Sequence, residues 1–181
     1  MGLVYAQDKS LRDAACSPGG LKRPFGYRIN VGAEMKYSIR PACDADYQYC
    51  YRLTKRNMLD LFCRHWGGWV PAEFRKGFNP DNVSMVVMHG RRVGYLSMKC
   101  DDQGIYIENL QLSPFLHGRG IGTEILEQLL KRYEREFIRL TTFSDNPARR
   151  LYERVGFIIT ERRDGTLQMV RLPNKANVVD G

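Results

Sequence analysis

The sequence predicts one α/β domain built on a mixed sheet, and three observations predict it. Amphipathic helical segments alternate with short runs rich in β-branched and aromatic residues. Hairpin turn signals separate some of these runs, which makes antiparallel strand pairs. Helices separate others, which makes parallel pairs, so a mixed sheet of about six or seven strands with helices on both faces is expected.

The bulk composition fits a single domain with its own core. The chain has 181 residues, of which 43% are hydrophobic and 27% are charged. It contains no apolar run near the ~20 residues that span a bilayer and no apolar segment typical of a secretory signal. The five cysteines are scattered without a Cys-x-x-Cys pair, so neither a metal site nor a disulfide framework is predicted and a cytoplasmic location is expected.

A net charge of +8 favours anionic partners. The basic residues are dispersed along the chain and form no tail, which is typical of a solvated surface. Specific binding to nucleic acid is therefore not favoured, whereas a polyphosphate ligand is compatible with the charge. A homodimer is one candidate assembly.

Three segments are predicted along the chain. Residues 1–34 contain Ser-Pro-Gly-Gly and no sustained hydrophobic period, so they are interpreted as a flexible N-terminal extension. Residues 35–172 form the domain, and residues 173–181 form a polar tail that frays. Met35 opens the first ordered segment and could also be an internal start.

The first half of the domain should carry one long helix and an antiparallel hairpin. Met35 to Arg40 alternates as a strand does and ends at Pro41. Asp44 is the predicted N-cap of the long helix, and Gly67–Gly68 ends it. The next predicted elements are a short helix over residues 72–78 and strands over residues 83–89, 93–98 and 105–112, with a hairpin turn at residues 90–92.

Aromatic residues cluster around the loop that follows the long helix. Trp66, Trp69 and Phe74 are candidate acceptor-binding residues, because large rigid rings offer contact area at low entropic cost. The alternative is that they only pack the core, and the sequence favours neither interpretation. His65 and His89 are weaker candidates for a catalytic role.

The second half is organised around His117-Gly-Arg-Gly-Ile-Gly-Thr123, which lies between a predicted strand and a helix predicted to run to about residue 136. Three glycines in five residues leave backbone N–H groups uncovered at a helix N-terminus, which favours an anion such as phosphate. Arg119 adds a cation there. Neither Gly-x-Gly-x-x-Gly nor Gly-Lys-Ser/Thr is present, so no nucleotide P-loop is predicted, and a purely structural turn is the alternative.

The remaining elements follow from the same signals. A strand is predicted over residues 137–143. Asn146, with Pro147 at the first helical position, predicts the start of a helix that Gly156 ends. The last two predicted strands cover residues 157–160 and 167–172, around a turn at residues 163–165.

Two motifs together resemble those of the GNAT superfamily, the Gcn5-related N-acetyltransferases. Residues 117–122 match the family's pyrophosphate motif, Gln/Arg-x-x-Gly-x-Gly/Ala, except that His117 replaces Gln or Arg. The stretch from Asn146 to Phe157, which reads Asn-Pro-Ala-x-x-x-Tyr-Glu-x-x-Gly-Phe, resembles the helix that contacts acetyl-CoA. The resemblance covers about residues 35–172 and includes neither terminus.

The resemblance implies a fold, a cosubstrate and a reaction. Two parallel strands should splay apart at a bulge, near residues 110–113 and 137–143, and acetyl-CoA should bind between them. An amine acceptor should then attack the thioester directly. Asn146 should contact the pantetheine arm or hold the loop of the second strand. The cosubstrate-binding residues that the resemblance implies are Leu110, Gln111, Leu112, His117, Gly118, Arg119, Gly120, Ile121, Gly122, Thr123, Asn146 and Tyr152.

Tyr152 and Glu108 are the catalytic candidates. The match to the family implies that the Tyr152 hydroxyl lies near the CoA sulfur as an acid, and a core aromatic is the alternative. Strand alternation puts Glu108 on the same side as Leu110 and Leu112, where apolar neighbours would suit a proton acceptor. A salt bridge or a substrate-orienting anion is the alternative for Glu108.

Three functions stay open. The first is an acetyl-CoA-dependent N-acetyltransferase acting on a primary amine of a small molecule or protein, which the two catalytic candidates favour, because aminolysis needs a proton acceptor and a proton donor. The second is a catalytically weak GNAT-like module that binds acyl-CoA as a sensor or partner. The third, suggested only by the charge, is an acetyltransferase acting on a target bound to nucleic acid.

Overall fold

A computed structural model describes residues 37–174, so the predictions for residues 1–34 and for most of residues 173–181 lie outside the described residues. The helices are α1 (Tyr47–Trp66), α2 (Pro71–Gly77), α3 (Ile121–Arg132) and α4 (Arg149–Arg154). The strands are β1 (Ser38–Pro41), β2 (Val83–Met88), β3 (Arg91–Asp101), β4 (Gly104–Leu112), β5 (Ile138–Phe143), β6 (Ile158–Arg163) and β7 (Thr166–Arg171).

The seven strands form one sheet in the order β1-β2-β3-β4-β5-β7-β6. Neighbouring strands are antiparallel except β4 and β5, which run parallel because α3 crosses between them. The mixed α/β fold predicted from the sequence is therefore confirmed. No helix of the described residues is long and apolar enough to cross a membrane.

Helices cover both faces of this sheet. Adjacent residues of a strand point to opposite faces, so Met85 and Val86 mark the two sides. Met85 packs in one core cluster with Cys50 and Leu53 of α1 and with Phe74 of α2. Val86 packs in a larger cluster that contains the apolar residues of α3 and α4. Thus α1 and α2 lie on one face, and α3 and α4 lie on the other.

The start of α1 differs from the prediction. Asp44 does not cap this helix, because residues 44–46 form a 3₁₀ turn whose N-cap is Cys43. The acid that matters is Asp46, whose buried carboxylate accepts the Arg40 guanidinium at 2.7 Å and the Cys43 amide at 3.0 Å. The bond from Arg40 lowers the pKa of Asp46. Asp44 and Asp46 lie in the same turn, and Arg40 of β1 forms its ion pair with Asp46.

Both hairpin turns place two consecutive residues in the left-handed backbone conformation. The β2–β3 hairpin turns at His89 and Gly90, with φ of 49° and 74°, one residue earlier than predicted. The β6–β7 hairpin turns at Asp164 and Gly165, with φ of 45° and 75°. Two consecutive left-handed residues match the twist of the flanking strands. The predicted stop of α1 is confirmed, since Gly67 is a left-handed C-cap.

Gly94 in β3 provides a test of the close approach between β3 and β4. A Cβ there would lie 2.5 Å from the Gln111 carbonyl oxygen and 2.5 Å from a methyl carbon of Leu112. We expect Gly94→Ala to lower the free energy of unfolding by about 1–3 kcal/mol, because the two strands must move apart. Chemical denaturation measures the change. Arg91→Ala, at an exposed position of the same strand, should change it by less than about 0.5 kcal/mol, and equal losses would contradict the prediction.

Candidate active site

The parallel strands β4 and β5 separate halfway along their length. They pair only over residues 105–107 of β4 and residues 138–140 of β5. Both strands nevertheless continue, β4 to Leu112 and β5 to Phe143. An opening between two parallel strands is therefore present, and it begins at residue 108, slightly earlier than predicted.

A β-bulge lies at the point of separation. Ser97 of β3 is opposite Asn109, whereas the next residue, Met98, is opposite Ile107, so Glu108 is an extra residue in β4. The extra residue reverses the alternation of side chains along the strand. The bulge expected beside the opening is thus found at Glu108.

The bulge changes the surroundings predicted for Glu108. Leu110 and Leu112 pack in the core cluster of α3 and α4. The Glu108 carboxylate instead accepts the Ser97 hydroxyl at 2.7 Å and forms an ion pair with Lys99. Both of these partners are polar, whereas the two leucines pack in an apolar cluster, so the predicted placement of Glu108 on the side of the leucines is wrong. Neither Ser97 nor Lys99 could be assigned to Glu108 from the sequence, since their pairing depends on the bulge.

The backbone of β4 presents hydrogen-bonding groups to the opening. The Ser113 amide donates to the Val93 carbonyl at 2.8 Å. Because paired residues of antiparallel strands alternate between bonded and non-bonded pairs, Leu110 and Leu112 belong to non-bonded pairs with β3. Their N–H and C=O groups therefore point away from β3, toward the opening. The backbone N–H and C=O groups of Gln111 point to β3 instead.

The Leu112 carbonyl oxygen joins three elements. It accepts the Asn57 side-chain amide of α1 at 3.0 Å and the His117 Nε2 at 2.9 Å. Asn57 also donates to Gln111 Oε1 at 3.1 Å. His117 thus holds the glycine loop against the end of β4. Asn57 was missed from the sequence, although it is a polar residue beside the apolar stripe of α1.

The glycine loop leaves backbone amides uncovered. Gly118 and Gly120 have φ of 74° and 81°, and a Cβ at either would meet nothing within 4 Å. The Arg119 amide is engaged, because it donates to the Leu116 carbonyl at 3.3 Å. Helix α3 has no side-chain cap. Within residues 37–174, no hydrogen-bond acceptor is found for the amides of Gly118, Gly120, Ile121, Gly122 and Thr123.

The Tyr152 hydroxyl lies in the core on the face of α3 and α4. The side chain is fully buried and belongs to the same packed cluster as Leu110 and Leu112. No hydrogen-bond partner for the hydroxyl exists among the described residues. Burial raises the pKa of Tyr152, so the phenol stays protonated near neutral pH and keeps an O–H that it can donate. A buried polar group without a partner is rare in proteins and marks a place where a ligand atom can bind.

Asn146 holds the loop between β5 and α4. The buried side chain accepts the Ala148 amide at 3.0 Å and donates to the Thr142 hydroxyl at 2.9 Å. Helix α4 itself begins at Arg149, slightly later than predicted. Of the two roles considered for Asn146, the structure contains the loop-holding contacts.

The three aromatic candidates fall into different environments. Phe74 is only 4% exposed and packs against Trp69 and Tyr51, as the alternative interpretation of a core residue expects. Trp69 is partly buried and donates its indole N–H to the Tyr51 hydroxyl at 3.1 Å. Trp66 is 37% exposed, and its ring contacts Phe143 at the end of β5, with centroids 4.9 Å apart. Trp66 is thus the candidate that an acceptor can reach.

Comparison with known proteins agrees with this geometry. Residues 50–157 match the model of the Acetyltransferase (GNAT) family, which is more than half of the chain. The protein therefore belongs to the GNAT acetyltransferase family. No curated protein sequence matches the chain.

Solved structures of acetyltransferases share the fold. One is the ribosomal-protein-S18-alanine N-acetyltransferase from Escherichia coli, with 18% identity and a TM-score of 0.60 over 80% of this chain and 98% of that one. Another is the paia N-acetyltransferase from Thermoplasma acidophilum in complex with coenzyme A, with 14% identity and a TM-score of 0.60 over 76% and 99%. A third is the histone acetyltransferase HPA2 and related acetyltransferase from Corynebacterium glutamicum, with 20% identity and a TM-score of 0.60 over 80% and 100%.

His117 should make the stability of the fold pH-dependent. Burial lowers the pKa of His117 below its ordinary value, against the opposing effect of its bond to Leu112. The unfolded chain therefore binds a proton more readily than the folded chain, and stability decreases as the pH falls through the ordinary histidine range. Between about pH 7 and about pH 5, we expect His117→Gln to show a smaller decrease in the free energy of unfolding than the wild type. Identical pH profiles of the two proteins would contradict this.

Proposed function

We propose that the protein is an acetyl-CoA-dependent N-acetyltransferase that moves an acetyl group directly to a primary amine of a small molecule or a protein. The observation that carries the proposal is the Tyr152 hydroxyl, which is buried, protonated and without a partner in the described residues. A hydroxyl of this kind can donate a hydrogen bond or a proton to the departing sulfur, which stabilises the negative charge that develops there as the C–S bond breaks. Family membership supports acyl transfer. That the acyl group is acetyl and that the acceptor is a primary amine are the parts proposed here.

The residues of the opening fit the parts of acetyl-CoA. The uncovered amides at the start of α3 suit its diphosphate, which also gains from the positive end of the helix dipole. The free backbone edge at Leu110 suits the amides of the pantetheine arm. Arg119 is exposed beside the loop and adds a positive charge. His117 and Asn146 hold the two loops that flank the opening.

The amine must lose a proton before or during attack, and we propose Glu108 as the acceptor of that proton. Its carboxylate lies at the bulge where the strands part, held by Ser97 and Lys99. A carboxylate has about four lone-pair sites, so two contacts leave capacity for an ammonium or a bridging water. Trp66 and Trp69, whose rings both contact Phe62, form the proposed acceptor wall.

A second candidate function has one observation in its favour. Both oxygens of Glu108 already have partners, so the residue could be a structural ion pair in a module that binds acyl-CoA but transfers its acyl group slowly. The proposal of a cytoplasmic enzyme is supported by the four described cysteines, which are all free thiols. A homodimer remains a prediction.

Acetyl-CoA should stabilise the protein against heat. A ligand that binds only the native state adds about 2.7 kcal/mol at a hundred times its Kd. We expect millimolar acetyl-CoA to raise the Tm of the wild type and to have a smaller effect on Gly120→Val, because the new side chain would fill the space over the amides. An unchanged Tm of the wild type would count against both candidate functions.

Release of free CoA separates the enzyme from the sensor. The protein is mixed with acetyl-CoA and a panel of primary amines, including amino acids, polyamines and lysine peptides, and the new thiol is measured. An enzyme releases CoA in proportion to one class of amine. Binding without release above the background hydrolysis for every amine would support the sensor.

Tyr152→Phe should separate catalysis from stability. The change removes a buried hydroxyl that has no partner in the described residues, so the Tm should stay the same or rise. Loss of the proton donor should lower kcat about 10²- to 10⁴-fold and leave the affinity for acetyl-CoA nearly intact. Steady-state kinetics and calorimetry measure the two effects. Unchanged turnover would show that another group protonates the sulfur.

A further inference from the structure

Two cations flank an aromatic ring on the face of α1 and α2, just before the strands part. The residues on either side of Tyr106 in β4 pack in the cluster of α3 and α4, so Tyr106 points to the opposite face. Its direct cross-strand neighbours are Lys99 of β3 and Arg139 of β5. Residues that lie directly opposite each other share a face of the sheet, so the three side chains form one row next to the bulge at Glu108.

The Lys99 ammonium connects this row to Glu108. It forms an ion pair with the Glu108 carboxylate, and the Lys99 side chain is 49% exposed. A lysine ammonium has three N–H donors, so the ion pair leaves donors for a second carboxylate. A ligand that reaches the Glu108 carboxylate therefore also meets the Lys99 ammonium.

Arg139 has an unused donor at the other end of the row. Its Nη2 pairs with the Asp101 carboxylate, and its Nε donates to Gln103 Oε1 at 3.3 Å. Its Cζ lies 5.1 Å from the centre of the Tyr106 ring. Its Nη1 is buried and has no hydrogen-bond acceptor within residues 37–174. Buried N–H groups normally have an acceptor, so this nitrogen marks a place for an anionic oxygen, and the exposed Gln103 shows that solvent is close.

These charges match an amine that also carries a carboxylate. The proposed reaction brings the amine to Glu108, so a carboxylate on the adjacent carbon would lie beside it, toward Lys99 and Arg139. The ammonium of Lys99 and the Nη1 of Arg139 could then donate charge-assisted hydrogen bonds to the carboxylate. An amine without a carboxylate gains neither contact and brings a third positive charge to the row.

We propose that the acceptor is a free α-amino acid, whose carboxylate is bound by Lys99 and Arg139 while its amine meets Glu108. The inference rests on the proposed function, because it assumes that the protein transfers an acetyl group to an amine. It concerns the choice of the acceptor, whereas Tyr152 concerns the departure of the sulfur.

Acceptors that differ only in the carboxylate test the proposal on the full chain. Release of free CoA from acetyl-CoA gives kcat/KM for each of the protein amino acids. The best of them is then compared with its own amide, which has the same shape and no negative charge, and with the amine that lacks the carboxyl group. We expect the acid to exceed both by at least about tenfold, a difference that corresponds to ~1.4 kcal/mol.

Lys99→Met should lower this preference, because it removes the charge and keeps the length of the side chain. The readout is the ratio of kcat/KM for the acid over the amide, since any disturbance of Glu108 affects both acceptors. We expect the ratio to fall to less than about threefold. Lys99→Arg should keep most of the preference, because it keeps a cation. Arg139→Lys keeps a cation for Asp101 but loses the fork of N–H donors, so it should also lower the ratio.

The matched control is Lys131→Met. Lys131 is exposed on α3, on the opposite face of the sheet, and forms no ion pair within the described part of the chain. The control removes the same charge and should keep the full preference for the acid. A loss as large as in Lys99→Met would mean that overall charge sets the preference, and would overturn the proposal.

The remaining outcomes separate this inference from the proposed function. Acetylation of amides, of simple amines or of peptide N-termini as fast as of the best amino acid would overturn the carboxylate site and leave the N-acetyltransferase intact. An unchanged ratio in both Lys99→Met and Arg139→Lys would also overturn the site. Failure to acetylate any amine would overturn the proposed function together with this inference.

Discussion

The extra residue in β4 is the constraint on which the site depends. Ile105 and Ile107 before the bulge, and Leu110 and Leu112 after it, all reach the core of α3 and α4. Without the extra residue, the two leucines would turn to the face of α1. Burial of each leucine contributes about 1.5–3 kcal/mol, whereas a ladder hydrogen bond contributes about 0.5–1.5 kcal/mol. The packing of the leucines therefore outweighs the disturbed pairing at Glu108, and the bulge is maintained.

The same region contains two kinds of unsatisfied polar groups, and their energies differ. The amides at the start of α3 border exposed glycines, so water can satisfy them and they cost the fold little. The Tyr152 hydroxyl is fully buried, and an unsatisfied group of this kind costs about 1–3 kcal/mol. A fold that keeps such a hydroxyl sacrifices stability at that point. The role proposed for Tyr152 would account for this cost.

Local features of the fold could be predicted from the sequence, and long-range pairings could not. Gly67, Gly118 and Gly120 adopt left-handed backbone conformations that glycine allows, so these turns could be predicted from a few neighbouring residues. The bulge at Glu108 depends on which face of β4 meets α3, and no local pattern shows this. The burial of Phe74 likewise depends on the arrangement of α1 over the sheet. Asp46, and not Asp44, has the structural role at the start of α1, because it pairs with Arg40 of another element.

The two faces of the sheet carry different groups, and the opening between β4 and β5 connects the two faces. On the face of α3 and α4 lie the uncovered amides and the Tyr152 side chain. On the face of α1 and α2 lie the aromatic residues and the polar contacts of Glu108. Because the strands part at the bulge, a chain-like molecule can be anchored by its phosphates on one face while its reactive end meets groups on the other.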